Sequence, residues 1–310
     1  MFESVWAVAG LAGVLGLLFG SFLNVVIHRL PQMMERQWAA EAAQYAQDAQ
    51  DAQVPPQTAP QTVSQVAGSA GQAAPAAPAE RFNLSTPRSR CPSCGHLIRW
   101  YENIPVLSYL FLGGRCAGCR TRISPRYPAV ELLTGGLFLF CGYRWGLTPT
   151  AAAWCGFSAA LVALAFIDWD TTLLPDDITL PLLWAGLLAA ALRWTDVPLQ
   201  SSVIGAAAGY LSLWCVYWAF KLATGKEGMG YGDFKLFAAL GAWFGWEALV
   251  PIILMASVIG ALVGIGMKFA SSLREGLYVP FGPFLAGAGL TAMIAGPARV
   301  MQAIFGSLGL

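Results

Sequence analysis

Two aspartates in this chain stand where a charge is costly. Asp168 follows the unbroken apolar run Ala159–Ile167, and Asp233 closes the stretch "GMGYGD" ahead of another apolar run. Ionisable groups inside or at the ends of membrane helices carry a free-energy penalty and by default point to function. Two carboxylates facing one another across a wet cavity cannot both ionise easily, so the pair shares a proton. One of them can draw a proton from a bound water while the other protonates a substrate carbonyl or leaving amine. That chemistry is peptide hydrolysis without a covalent intermediate.

The neighbouring acids have plainer readings. Asp177, just after Pro175 and before an apolar run, reads as a helix N-cap or first-turn charge. Asp176 shares that reading, and Asp170 reads as a solvated or headgroup-level residue. By position alone Asp233 is as good an N-cap as a catalyst. Gly228, Gly230 and Gly232 tilt it toward chemistry, since glycine permits backbone conformations and close approaches denied to other residues. Irregular backbone at membrane depth is tolerated only where it is buried in protein or lines a water-filled cavity. The run lacks the Gly-Lys-Ser/Thr end of a phosphate loop and the spacing of a dinucleotide fingerprint. No nucleic-acid partner is expected.

A second constellation is made of cysteines. Cys91/Cys94 and Cys116/Cys119 are two Cys-x2-Cys pairs separated by 21 residues. Two such knuckles supply four thiolates for a tetrahedral zinc site, closed by its protein ligands and therefore structural. The alternative is two disulfides, which rarely persist in a reducing cytoplasm. His96 is expected as a neighbour of the site, and Cys141, Cys155 and Cys215 as small buried hydrophobes within apolar spans.

The elements that must position these groups are membrane helices. Of 310 residues, 56% are hydrophobic and 11% charged, with a mean hydropathy of +0.57. A soluble domain carries about 25% charged residues. The first apolar run, Val5–Ile27, is preceded by Glu3 and followed by His28 and Arg29, the wrong flanks for a cleavable signal, so an uncleaved helix is expected. Further spans are expected at Ala129–Tyr143, Pro149–Ile167, Ile178–Leu192, Ser202–Phe220, Phe234–Trp246, Leu249–Met267 and Phe281–Gly296. The fold class is thus an all-α polytopic membrane protein of about eight transmembrane helices, with a small cytoplasmic four-cysteine domain inserted after the first.

Basic residues set the orientation. Placing the N-terminus outside puts ten arginines between Arg29 and Arg126, together with Lys221, Lys226, Lys235, Lys268 and Arg274, inside. The outer side keeps Arg144, Arg193 and Arg299. Both termini are then periplasmic, the cysteine loop is cytoplasmic, and Asp168 and Asp233 lie at cytoplasmic helix ends. They can therefore meet although 65 residues apart. The expected organisation is a first helix over 1–30, a flexible Ala/Gln/Pro-rich insertion over 31–80, a zinc-binding domain over 81–127 and a seven-helix membrane domain over 128–310. Within the insertion, Gln32–Ala52 has the composition of a transient helix.

With these residues in view, the chain resembles the type IV prepilin peptidase family of bacterial inner membranes. "GSFLNVVIHRLP", "CPSCGHLIRWYENIPVLSYL", "GGRCAGCRTRISPRYPAVELLTG", "FIDWDTTLLPDDITLPLLW" and "GYGD" follow one another as that family's motifs do, over nearly the whole chain outside the insertion. The resemblance implies that Asp168 and Asp233 are the catalytic aspartates, with Gly230 and Gly232 in the active-site loop. It implies that the four paired cysteines hold zinc. It further implies two reactions: removal of a basic leader from prepilins and pseudopilins, then methylation of the new N-terminal residue with S-adenosylmethionine as donor. For the second reaction it points to Gly114, with Glu102, Asn103 and Glu131 as weaker candidates. Two alternatives stand beside this: a leader peptidase without methyl transfer, and a zinc-stabilised membrane transporter whose acids form an ion pathway.

Overall fold

The computed structural model of the protein describes residues 2–52, 82–269 and 279–308, and within them every regular element is helical. The first helix, α1 (Phe2–Ala52), does not end near Leu30 as the sequence suggests. It continues through Pro31 for about six further turns, because Gln, Ala and Glu in its second half are good helix formers. The side chains from Glu35 to Ala49 are exposed. The remainder of the expected insertion, 53–80, lies outside the described residues.

The cysteine segment folds as two small knuckles, each closed by an isolated antiparallel bridge, Arg90 with Leu97 and Arg115 with Arg122. Between them lie a 3-10 turn over Trp100–Asn103 and a short helix α2 (Leu107–Phe111). The main bundle follows: α3 (Arg126–Trp145), α4 (Pro149–Thr171), α5 (Asp176–Ala191), α6 (Leu199–Thr224), α7 (Tyr231–Phe244), α8 (Leu249–Phe269), α9 (Gly282–Ala295) and α10 (Pro297–Leu308).

The centre of the bundle is α7, which beyond Asp233 and Lys235 near its start is apolar all round, as a helix enclosed by others must be. It packs on α5 and α6, while α4 packs on α9 and α1 on α3. Leu161, Leu164, Ile167, Leu236, Leu240 and Leu285 are fully buried between these layers. Helices α6 and α7 touch backbone to backbone at Gly205 and Gly241, where a methyl group on either would run into the other's carbonyl. Such close approach through small residues is how apolar helices associate when lipid offers no hydrophobic drive. The buried polar groups here are paired: Ser202 Oγ donates to Ala242 O (2.6 Å) and Trp243 Nε1–H to Leu182 O (2.9 Å).

Among the described residues, four helices are long and apolar enough to cross a membrane, within Ser4–Ala49, Pro149–Thr171, Leu199–Thr224 and Trp246–Phe269. A fifth span results if α9 and α10, bent by 109°, count as one. The expected eight are therefore not all matched by length and composition. Helices α5, α7 and α9 have 16, 14 and 14 residues, and α3 carries Arg126, Glu131 and Arg144. Burial also corrects the reading of the lone cysteines. Cys141 is buried and Cys155 half-buried, but Cys215 is exposed on the outer face of α6. An apolar span has no need to turn its small hydrophobes inward when its outer face is apolar too.

Candidate active site

Asp168 lies in the last turn of α4 and Asp233 in the first turn of α7, and both are nearly enclosed, at 4% and 7% exposure. The bundle brings the segments that carry the two sequence-predicted acids together: Leu174 packs both on Gly282, which touches Asp168, and on Gly232, which precedes Asp233. Asp168 Oδ2 accepts a hydrogen bond from the Gly282 N–H (2.9 Å), the first residue of α9. A helix N-terminus, with its free N–H groups and positive end, holds a carboxylate well. Asp233 Oδ1, by contrast, is buried with no hydrogen-bond partner among the described residues. A buried carboxylate oxygen left unmatched is costly, which marks Asp233 as a functional candidate.

Two glycines permit this convergence. A Cβ on Gly282 would stand 2.5 Å from Asp168 Oδ2, and one on Gly232 would stand 2.7 Å from Leu174 Cβ. Leu174, in the link between α4 and α5, packs on both glycines and so knits the three segments around the acids. Of the two freedoms read for the glycine run, close approach is used at Gly232, while Gly228, Gly230 and Gly232 keep negative φ and Gly225 alone in this loop has positive φ (+71°). Gly230 is the N-cap of α7 in ordinary extended conformation (φ −80°, ψ 150°). The demand on Gly232 is space. The N-cap reading of Asp233 is likewise set aside, since Gly230 occupies that position.

The other acids of the two motifs are paired or first-turn charges. Asp170 binds Arg126 at 2.7 Å, tying the end of α4 to the start of α3. Asp176 places both carboxylate oxygens 2.7 Å from Lys235 Nζ, tying the start of α5 to that of α7. Asp177 is exposed in the first turn of α5. Beside the glycine loop, Glu227 accepts from Lys221 Nζ (2.9 Å) and lies 3.3 Å from the buried Tyr217 hydroxyl.

The four cysteine sulfurs lie within 4.8 Å of one another, with Cys91 and Cys119 at 3.8 Å and Cys94 and Cys116 at 3.9 Å. A tetrahedron of sulfurs about 2.3 Å from a central zinc has edges of about 3.8 Å. A disulfide requires about 2.0 Å. The donor set therefore fits a thiophilic metal, and the disulfide alternative does not fit. The Thr121 hydroxyl, 3.2 Å from Cys119 Sγ, holds that thiol down to about 6, which suits a thiolate ligand. His96 stands beside the cluster as expected, engaged at 3.0 Å with Glu102.

Gly114 borders an open cavity of about 540 Å³ with Tyr109, Gly113, Arg115, Arg122 and Ile123–Pro125. Its φ is +66°, and a Cβ there would meet the Tyr109 ring at 2.9 Å, so both conformation and space require glycine. The weaker candidates have structural tasks. Glu102 accepts the Arg99 N–H (2.9 Å), which with His96 holds its carboxyl below the usual range. Buried Glu131 accepts the Val106 N–H (2.7 Å), and Asn103 ends the 3-10 turn at the surface. Sequence reasoning missed two residues. Gly282 was passed over in "VPFGPF", where Gly-Pro at a helix start was the available signal. Arg29 was read only as a topology charge. It is buried, and it donates to the carbonyls of Asn83 (3.0 Å), Leu84 (3.3 Å) and Pro87 (2.6 Å).

Fold and site together define a helical bundle of membrane-protein character that holds a buried pair of acids, with a four-cysteine knob at its side. Two family models match the chain: the bacterial peptidase A24 N-terminal domain over residues 14–145 and the type IV leader peptidase family over residues 155–265. Curated relatives described as prepilin leader peptidase/N-methyltransferase align over most of its length. One from Aeromonas salmonicida (strain A449) is 49% identical over 94% of this chain and 92% of its own. Those from Burkholderia pseudomallei (strain 1026b) and Pseudomonas putida are also 49% identical, over 91% and 92% of this chain and 84% and 90% of theirs. The chain belongs to the type IV leader peptidase family. No solved structure matches it significantly.

Proposed function

We propose that this protein cleaves the basic leader from type IV prepilins and pseudopilins and then methylates the exposed N-terminal residue, with Asp168 and Asp233 as its hydrolytic pair. The observation that carries the reading is the buried Asp233 Oδ1, without a hydrogen-bond partner among the described residues, at a helix end packed near Asp168, whose own carboxylate is fixed by the Gly282 N–H. In this arrangement one acid removes a proton from water as it attacks the scissile carbonyl, and the other delivers a proton to the leaving amine. The pair exchanges roles when the product leaves, so no covalent intermediate is needed.

The chain is read as an inner-membrane protein in which α3 and the shorter α5, α7 and α9 cross alongside the four long helices. Both acids and the cysteine knob then face the cytoplasm, where a prepilin's basic leader stays while its apolar segment enters the bilayer. Cys91, Cys94, Cys116 and Cys119 would hold zinc, which supplies a rigid link between the two knuckles. The cavity at Gly114 is the candidate seat for S-adenosylmethionine. Its volume lies in the range of small-ligand sites, and Tyr109 and two arginines offer a ring face and cations.

The test is cleavage of a purified prepilin in proteoliposomes, read by mass spectrometry with and without the methyl donor. Asp168→Asn and Asp233→Asn should each lower cleavage by at least about 10²–10⁴-fold, the scale of a lost acid–base group. Cleavage surviving in either variant would remove that aspartate from the mechanism. A wild-type product that is cleaved but never methylated would leave the leader peptidase alone.

A further inference from the structure

The cysteine knob, outside the apolar spans, exposes apolar side chains that a water-facing domain has no reason to expose. Helix α2 carries Leu107, Leu110 and Phe111 at positions i, i+3 and i+4, which share one face, and that face points outward. Phe111 is 88% exposed and Leu110 67%. The 3-10 turn packed against α2 adds Trp100, 79% exposed. Apolar and aromatic side chains gathered at a surface mark an interaction site.

The charge around this patch identifies the partner. Between residues 82 and 127 there are seven arginines and one acid, Glu102, which is already engaged by His96 and the Arg99 N–H. Arg88, Arg90, Arg99, Arg115, Arg120 and Arg122 are all exposed. Arg126 alone is neutralised by a carboxylate, that of Asp170. Apolar anchors within an arginine-rich surface complement an anionic lipid leaflet, whose headgroups attract the cations while its acyl boundary takes the aromatic and leucine side chains.

Position agrees with charge. The knob and the segment before it are held against the end of α1's apolar stretch, by the three carbonyls on buried Arg29, and against the first turns of α3, by the Glu131–Val106 bond. It therefore stands at the level where those helices leave the bilayer.

We propose that α2 and the Trp100 turn dock on the anionic headgroups of the membrane in which the bundle sits, so that the lipid surface fixes the knob's height and orientation. A prepilin's basic leader is a poor competitor for this face, because the arginines repel it. The inference rests on the membrane reading given above, but not on the aspartate pair.

The test is amide hydrogen exchange on the full-length protein in nanodiscs of phosphatidylcholine with and without about one-third phosphatidylglycerol. Amides of residues 100–113 should exchange about fivefold or more slowly in the anionic discs, the scale set by one basic residue at an anionic surface. The difference should vanish in about 0.5 M salt, which screens surface charge within a few ångströms. It should also vanish in a Leu110→Asp/Phe111→Asp variant that retains its metal, and shrink in Arg115→Gln/Arg122→Gln. Equal exchange in both lipids would overturn the proposal. So would protection that appears only when a prepilin is added, which would assign the face to substrate. Prepilin cleavage measured on the same discs separates failure of this inference from failure of the peptidase reading.

Discussion

At the residue scale the site depends on a missing side chain as much as on the two acids. Gly282 delivers the N–H that Asp168 accepts, and a methyl group there would enter the space of that same carboxylate. Gly282→Ala should therefore displace the carboxylate and lower cleavage sharply. Its global cost should stay near the 1–3 kcal/mol typical of a small overpacking change. Cleavage rate and thermal melting measured on one preparation check this; wild-type cleavage in the variant would mean that Asp168 does not need the α9 N-terminus. The same logic separates Gly232 from Gly230. A Cβ on Gly230 meets only Asp233 Oδ2, at 3.8 Å, whereas one on Gly232 would press into Leu174. Gly230→Ala should be tolerated where Gly232→Ala is not, as a side-by-side cleavage assay would show.

At the element scale, two helices must hold register for Asp233 to face Asp168. The Asp176–Lys235 ion pair joins the first turns of α5 and α7, two residues beyond Asp233. It is half in solvent, so it contributes on the order of 0.2–1 kcal/mol. A double-mutant cycle with Asp176→Asn and Lys235→Met should return a coupling of about that size in melting free energy, with each single variant also losing some cleavage. Zero coupling would mean that packing alone, through Leu174 and the α6–α7 glycine contact, sets the register. Much of this was legible in sequence. Asp168 stands out because a charge after nine apolar residues has few structural explanations, Asp233 because it closes a glycine run ahead of an apolar helix, and the paired cysteines by their spacing. What stayed hidden is long-range or depends on the solvent. The Gly282–Asp168 bond joins residues 114 apart, through a helix start that carries no charge of its own. The composition of Gln32–Ala52 points to a helix, since Ala, Gln and Glu make one without a core; what it does not reveal is that this helix is continuous with the first apolar span through Pro31. Cys215 was taken as buried because small apolar residues are buried in water-soluble folds, a rule that loses its direction on a lipid-facing surface.

At the scale of the whole molecule, helix length and the placement of the acids belong together. At 1.5 Å per residue, α5, α7 and α9 reach only about 24, 21 and 21 Å, against a hydrocarbon core of about 30 Å. Each of these helices begins beside the acid pair: Leu174 just precedes α5, Asp233 lies in the first turn of α7, and Gly282 opens α9. If all three cross the bilayer, their missing length falls on the side of the acids. That gives water and an extended leader a way in without exposing the apolar far end, where Trp154, Phe157 and Trp243 pack ring against ring. The proposed function requires one topology, in which the cysteine knob, the loop at Gly225 and the start of α9 share the cytoplasmic side. Alkaline phosphatase, which is active only when exported, should thus be active when fused after Gly146 or Asp196 and inactive when fused after Gly225. An active fusion after Gly225 would put Asp233 on the face opposite the prepilin leader, and the peptidase assignment of the pair would fail with it.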